Sequence, residues 1–200
     1  MVFIDGFETG DLSSWSVAQT GGGDLRASTS AALDGVYGLE AVINDRTNMY
    51  LQDDRPAAEP YYRVRFKFDP NSIVMANNNV HDIFRGFSGT TNTIAMIFGY
   101  RNNEYYVQIG VLNDSGGWYF SSRLPIIDAV HLFEFDWLAS TGAGANNGST
   151  TFRIDGVQRF SLTGIDNDTQ RVDMSRIGPL AGIDVGTKGT YYLDTYESLR

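Results

Sequence analysis

The nine residues YYRVRFKFD, Tyr61 to Asp69, alternate between apolar and polar positions without a break. Tyr62, Val64, Phe66 and Phe68 fall on one side of an extended chain, and Tyr61, Arg63, Arg65 and Lys67 on the other. A period of two marks a strand with one buried and one solvated face. The same pattern returns in IAMIFGYR (94–101), EYYVQIGVL (104–112) and WYFSSRL (118–124). Their separators, Asn102-Asn103 and NDSGG (113–117), are turn-formers, so this region reads as an antiparallel meander.

HLFEFDWLA (131–139) sets His131, Phe133, Phe135 and Trp137 on one face and Leu132, Glu134, Asp136 and Leu138 on the other. Asp155-Gly156 lies between two short alternating runs and predicts a two-residue hairpin, because a type I′ turn needs positive φ twice. TYYLDTYESLR (190–200) is a further strand. RLPIIDAVH (123–131) predicts one short helical turn, and no long segment carries a 3.6-residue period. There is no repeat, low-complexity tract or linker. About a dozen short strands in one domain, residues 1–200, predict an all-β fold: a two-sheet antiparallel β-sandwich of the jelly-roll kind.

Composition agrees with this and narrows the partners. The chain has 22 Gly, 11 Tyr and 12 Phe, the mixture of turn and strand formers expected of an all-β protein. Its net charge of −9 disfavours nucleic acid, which needs clustered cations, and suits calcium and neutral sugars. The absence of cysteine excludes disulfides, thiolate metal sites and a cysteine nucleophile. No apolar run approaches the ~18 residues of a membrane span. No signal-peptide pattern opens the chain, and Phe3 already reads as strand.

Three stretches carry a family resemblance: the opening DGFETGDLSSW (5–15), the pair HLFEFDW and FRIDG (131–137 and 152–156), and the ending YYLDTYESLR (191–200). Together they resemble concanavalin A-like jelly rolls, laminin G-like domains in particular. The resemblance implies that the first and last strands lie side by side. It also implies a structural calcium there, held by Glu8 and Asp194, with a carbonyl from Gly35 or Asp34. Ca²⁺ takes six to eight oxygens, and a carboxylate beside a glycine-rich turn supplies several. The plainer reading makes Glu8 a turn cap and Asp194 a solvated edge residue. Such domains serve as lectins, adhesion modules or virion parts, and one branch of the superfamily cleaves glycans.

Glu134 and Asp136, two residues apart on one strand face, are similar to the catalytic strand of jelly-roll glucanases. The third carboxylate of that pattern is replaced by Leu138 or Ala139, so the chain is expected not to be an enzyme. The pair is expected instead to face Arg63, Arg65 and Lys67 across neighbouring strands. His131 reads as a packed core histidine, and two distant histidines without cysteine make zinc a poor fit. Sugar recognition combines aromatic faces with amides and charges; Tyr100, Arg101, Asn103, Tyr105 and Trp118 at hairpin ends are the candidates. The function expected is a non-catalytic, calcium-stabilised binding or structural module, extracellular, on a cell surface, a surface assembly or a virion. Its partner would be a glycan or protein at that surface, or further copies in a homo-oligomer or particle assembly. A carbohydrate-binding lectin module is the alternative.

Overall fold

The computed structural model describes residues 1–200, and its strands form two eight-stranded antiparallel sheets. The first sheet runs β14 (Val157–Ile165), β13 (Gly148–Ile154), β12 (His131–Leu138), β6 (Tyr61–Asp69), β16 (Gly189–Leu199), β4 (Gly38–Ile43) and β3 (Leu25–Ser28). Its eighth strand, β1 (Phe3–Asp5), pairs with β16 beyond the stretch taken by β4. The second sheet runs β10 (Trp118–Phe120), β9 (Glu104–Leu112), β8 (Thr91–Arg101), β7 (Val80–Ser88), β15 (Met174–Ala181), β5 (Tyr50–Asp53) and β2 (Val17–Gln19), with β11 (Leu124–Ile126) also on β9. The first and last strands meet, with Phe3 opposite Ser198.

Residues 124–126 differ from the sequence expectation: they form β11 and not a helical turn. Pro125 cannot donate to a ladder or a helix, and Leu124 and Ile126 gain more by burial beside β9 than a lone turn would offer. The only helical piece is a 3₁₀ turn at Thr29–Ala31. Two of the two-residue hairpins, β8–β9 and β13–β14, have positive φ at both turn residues, as the type I′ form requires, whereas the β7–β8 turn Gly89-Thr90 has it only at Gly89. Asn102 and Asn103 have φ of 54° and 65°, and Asp155 and Gly156 have 54° and 75°.

The inward face of β6 places Tyr62, Val64, Phe66 and Phe68 out of contact with water, as the alternation requires. Phe68 meets the rings of Phe98 at 4.9 Å, Tyr191 at 5.3 Å and Phe133 at 5.5 Å. Each such buried aromatic contributes about 1.5–3 kcal/mol, and edge or offset ring contacts add to it. A polar tie crosses the same interior. The hydroxyls of Tyr62 and Tyr196, from the first sheet, lie 3.0 Å apart and reach Ser175 of the second sheet at 3.1 and 2.9 Å. Burial pushes the Tyr62 hydroxyl up to about 12, so this junction stays neutral.

At the chain start, Trp15 packs edge-on against Phe3 and against Tyr196, each at 4.9 Å. Its indole N–H donates to Asp5 Oδ2 at 2.8 Å, while Asp5 Oδ1 accepts the Phe7 amide at 2.8 Å. The opening acidic and aromatic residues therefore seat β1 on the core.

His81, on β7, is buried against Phe98 and Tyr191 with neither ring nitrogen hydrogen-bonded. Burial holds its imidazole down at about 3, against an ordinary 6.5. The unfolded chain therefore binds a proton between those values that the folded chain does not. Stability falls as pH drops through this window, by about 1.4 kcal/mol per unit from this group. The His81→Phe variant should remove that slope and raise stability at neutral pH, since no buried ring nitrogen is left unpaired. Urea unfolding of both proteins from pH 7 to 4 measures this; parallel curves would rule it out.

Candidate functional site

The outer face of the first sheet is a ladder of ion pairs. Asp136 stands in register with Arg63, and Glu134 with Arg65. Asp136 Oδ1 accepts from Arg63 Nε at 2.5 Å and from the Tyr61 hydroxyl at 2.8 Å; Oδ2 accepts from Arg153 at 2.9 Å. Partial burial would raise its pKa, but these three donors hold the carboxyl below the ordinary aspartate value. Arg65 pairs with Glu197 of β16. Asp136 is thereby a fixed counter-ion.

At the chain ends, two carboxylates grip one loop. Glu8 accepts from the amides of Val36 at 3.0 Å and Tyr37 at 3.3 Å. Asp194 is buried; its Oδ2 accepts from the amides of Leu33 and Asp34, both at 2.8 Å, and its Oδ1 from Thr195 at 2.6 Å. Burial lifts the Asp194 carboxyl above its usual range against the pull of those amides. It is thus no solvated edge residue. Glu8, Asp34 and Gly35 line one shallow depression of about 150 Å³ with Gly6 and Thr195. Asp194 lies beneath the loop and does not line it. Gly35 has φ +67°, and a Cβ there would stand 2.2 Å from Glu8 Oε1. Only glycine lets the loop approach the carboxylate this closely. The Lys67 ammonium reaches Asp34 Oδ2 at 2.8 Å and the Leu33 carbonyl at 3.2 Å. Oxygens able to hold a cation are therefore present, and a cation of the chain's own already touches two of them.

The outer face of the second sheet has a different chemistry. Since Ile94, Met96 and Phe98 of β8 and Val107, Ile109 and Val111 of β9 point inward, the residues between them point out. One transverse row crosses five adjoining strands and β10: Gln52, Arg176, Arg85, Ala95, Gly110 and Phe120 stand opposite one another in succession. The next row holds Asp82, Ile97 and Gln108. Arg85 pairs with Asp82 at 2.5 Å. Arg176 has no carboxylate partner: its guanidinium lies 4.3 Å over the Tyr50 ring and 5.0 Å from that of Phe87, and it donates to Gln52 Oε1 at 2.8 Å. Arg123 likewise stacks on Tyr106 at 5.3 Å without an acid. Gly99 and Gly110 are seats for rings. A Cβ at Gly99 would lie 2.5 Å from Tyr106, and one at Gly110 2.6 Å from Phe120, which stacks on Trp118 at 5.7 Å.

Tyr100, Arg101, Asn103 and Tyr105 do gather at the β8–β9 turn. Tyr100, Asn103 and Tyr105 line a groove of about 370 Å³ with Glu104 and Ile127; Arg101 and Tyr105 line a second of about 220 Å³ with Tyr106 and Arg123. Burial, with Asp128 adding to it, raises the Tyr105 hydroxyl to about 12, and it donates to the Ile73 carbonyl. Trp118 stands apart from this group, opposite Leu112 at the other end of β9. Arg85, Arg176, Gln52 and Gln108 escaped the sequence reading. Nothing local marks them; their strands are adjacent only in the fold. The trio Asp114, Asp166 and Asp168 was missed for the same reason, and its oxygens lie within 4.8 Å of one another. Asp114 there accepts from Thr169 and Gln170, pinning the loop after β14 to the β9–β10 connection.

No protein-family model matches this chain, and no curated protein matches it by sequence. Solved structures do share its fold. The alginate lyase Aly36B is 12% identical with a TM-score of 0.68, over 94% of this chain and 88% of the lyase. The cellulose-induced protein Cip1 is 14% identical with a TM-score of 0.66, over 98% and 96%. A botulinum neurotoxin type C structure, described as entering cells through interaction with two ganglioside molecules, is 7% identical with a TM-score of 0.61, over 92% of this chain and 42% of the toxin chain. These likenesses place the chain among jelly-roll β-sandwiches.

They also correct one expectation. The chain was expected not to be an enzyme because Leu138 and Ala139 break the three-carboxylate pattern of one strand. A glycan-cleaving lyase shares this sandwich over nearly its whole length, so the loss of one glucanase pattern does not remove catalysis from the fold.

The clamp at the chain ends gives a direct test. Gly35→Ala should lower stability by about 1–3 kcal/mol, from the left-handed backbone and the contact with Glu8. Adding Glu8→Ala to it should recover part of that loss. Chemical unfolding of the single and double variants decides; strictly additive losses would contradict the contact.

Proposed function

We propose that this chain is a glycan-binding jelly-roll module that works outside the cell and takes acidic polysaccharide on the outer face of its second sheet. The observation that carries this is Arg176. A guanidinium held between two aromatic rings and a glutamine, with no carboxylate to neutralise it, is oriented in advance for an anionic ligand. Arg85 stands beside it in register, and Arg123 repeats the arginine-on-aromatic arrangement toward the β8–β9 turn. Sugar rings stack on aromatics, while carboxylates take bidentate arginine contacts. The Trp118–Phe120 platform and the groove lined by Arg101, Tyr106 and Arg123 extend the surface along β9. The similarity to an alginate lyase supports a uronate-rich ligand, and that to a ganglioside-dependent toxin supports an acidic glycan at a surface.

A structural calcium belongs to the same proposal. Glu8 and Asp34, which line the depression beside Gly35, would hold it. When bound, the ion would neutralise carboxylates where the chain ends meet in a protein of net charge −9.

Binding is measured with polyguluronate, polymannuronate and a neutral glucan of equal length. The acidic chains should bind and the neutral one should not, with affinity falling as salt rises. Arg176→Ala should weaken binding by about 1.5–3 kcal/mol, the range for a hydrogen bond to a charged group. The ultraviolet absorbance of unsaturated uronate ends, followed in the same samples, tells binding from eliminative cleavage. Equal binding of neutral and acidic chains, or none of either, would overturn this reading; the latter would point to a protein partner. Calorimetric titration with calcium tests the ion.

A further inference from the structure

Asp82 and Arg85 stand three residues apart on β7, and in a regular strand such a pair points to opposite faces. Here they share one. The register against β8 jumps from Asp82–Ile97 to Phe84–Met96, so Ile83 is an extra residue, and Ile83 and Phe84 are both buried in the core. β15 is interrupted at the same place: Ile177 stands opposite Phe84, and the next residue in register is Ala181, opposite Asp82. Bulges of this kind re-aim a side chain. In an unbroken strand the register that turns Arg85 outward would turn Asp82 into the aromatic core. With the bulge, the carboxylate reaches the outer face one row along from the arginines, about 7 Å at the rise of a strand.

Part of its use there is local. Arg85 stands directly opposite Arg176, and like charges so placed repel. The Nε and Nη2 atoms of Arg85 converge on one oxygen, Asp82 Oδ2, at 2.5 Å. The other oxygen, Oδ1, meets no hydrogen-bond donor within the fold and is open to solvent. The side chain that carries it is only 14% exposed, and burial raises the carboxyl against the pull of Arg85. Ile97, its neighbour on β8, has no donor to offer. A partly desolvated acceptor in this state gains from a donor that a ligand brings, and loses if the ligand covers it without one.

We propose that Asp82 determines specificity on this face: its Oδ1 accepts a free hydroxyl of the sugar whose carboxylate Arg176 takes. This rests on the acidic-glycan reading above. A uronate carries an acid group and hydroxyls on one ring, so an arginine and a carboxylate one row apart match both kinds of group at once. A chain O-acetylated at that hydroxyl has no proton to donate and leaves Oδ1 covered and unpaired. The ligand class narrows from acidic polysaccharide to polyuronate with free ring hydroxyls.

The test is calorimetric titration of the full chain with polymannuronate and with the same polymer O-acetylated, at equal length and charge. The wild type should bind the free polymer about tenfold or more tightly than the acetylated one. Asp82→Ala should bind the two alike. Asp82→Asn should do the same and serves if the alanine variant folds poorly: Arg85 takes its single side-chain oxygen, which leaves an amide donor toward the ligand. Asparagine matches aspartate in size, so discrimination that came only from the bulk of the acetyl group would survive in that variant. A ratio near one in the wild type, or the wild-type ratio kept in either Asp82 variant, would overturn the assignment and leave the acidic-glycan reading standing. No binding of either polymer by the wild type would overturn that reading, and the assignment with it.

Discussion

The layer of aromatic rings between the two sheets is the constraint on which the rest depends. With no cysteine, no disulfide cross-links the layers. Phe66, Phe68, Phe98, Phe133, Phe135, Phe152 and Tyr191 are all removed from water in one contiguous core. Their bulk fixes which face of each strand turns inward, because a slip of one residue would put every ring into solvent. The Tyr62–Ser175–Tyr196 junction then sets the two sheets laterally, since hydroxyls in a dry interior must find one another.

Once the inner faces are assigned, the outer faces are free for polar chemistry, and the two are used differently. The first sheet closes its charges on themselves: Asp136 is shared by Arg63 and Arg153, and Glu197 takes Arg65. The second sheet leaves Arg176 and Arg123 on aromatic supports with their charge open. Gly99 makes room for the ring of Tyr106 under Arg123, and Gly110 for the ring of Phe120 beside Trp118. A chain of net charge −9 thus keeps one face on which an anion would meet unpaired arginines.

How much of this can be read from the chain follows from the distance over which each feature is written. The alternation in 61–69 and the Asp155-Gly156 turn are each encoded within about ten residues, and each is found in place. The short helical turn at 123–131 was misjudged because its apolar residues suited either element until β9 offered a partner. Gln52, Arg85 and Arg176 meet only because β5, β15 and β7 lie side by side, an adjacency no local pattern records. The expectation of no enzymatic role failed for a related reason. It judged one strand, whereas a site on a sheet is assembled across several.

The position of β16 has a consequence for how the chain is made. This strand follows every other in the sequence, yet it sits in the interior of the first sheet, between β6 on one side and β4 and β1 on the other. Until it emerges from the ribosome, β6 and β4 both present open edges, and their aromatic faces have no lateral seal. The sheet cannot be completed from its beginning outward; it closes only when its final segment slots into the gap. Such long-range closure is slow, and the wait exposes unpaired strands to other chains. A chain cut before Gly189 would therefore lose the middle of a layer and not its margin.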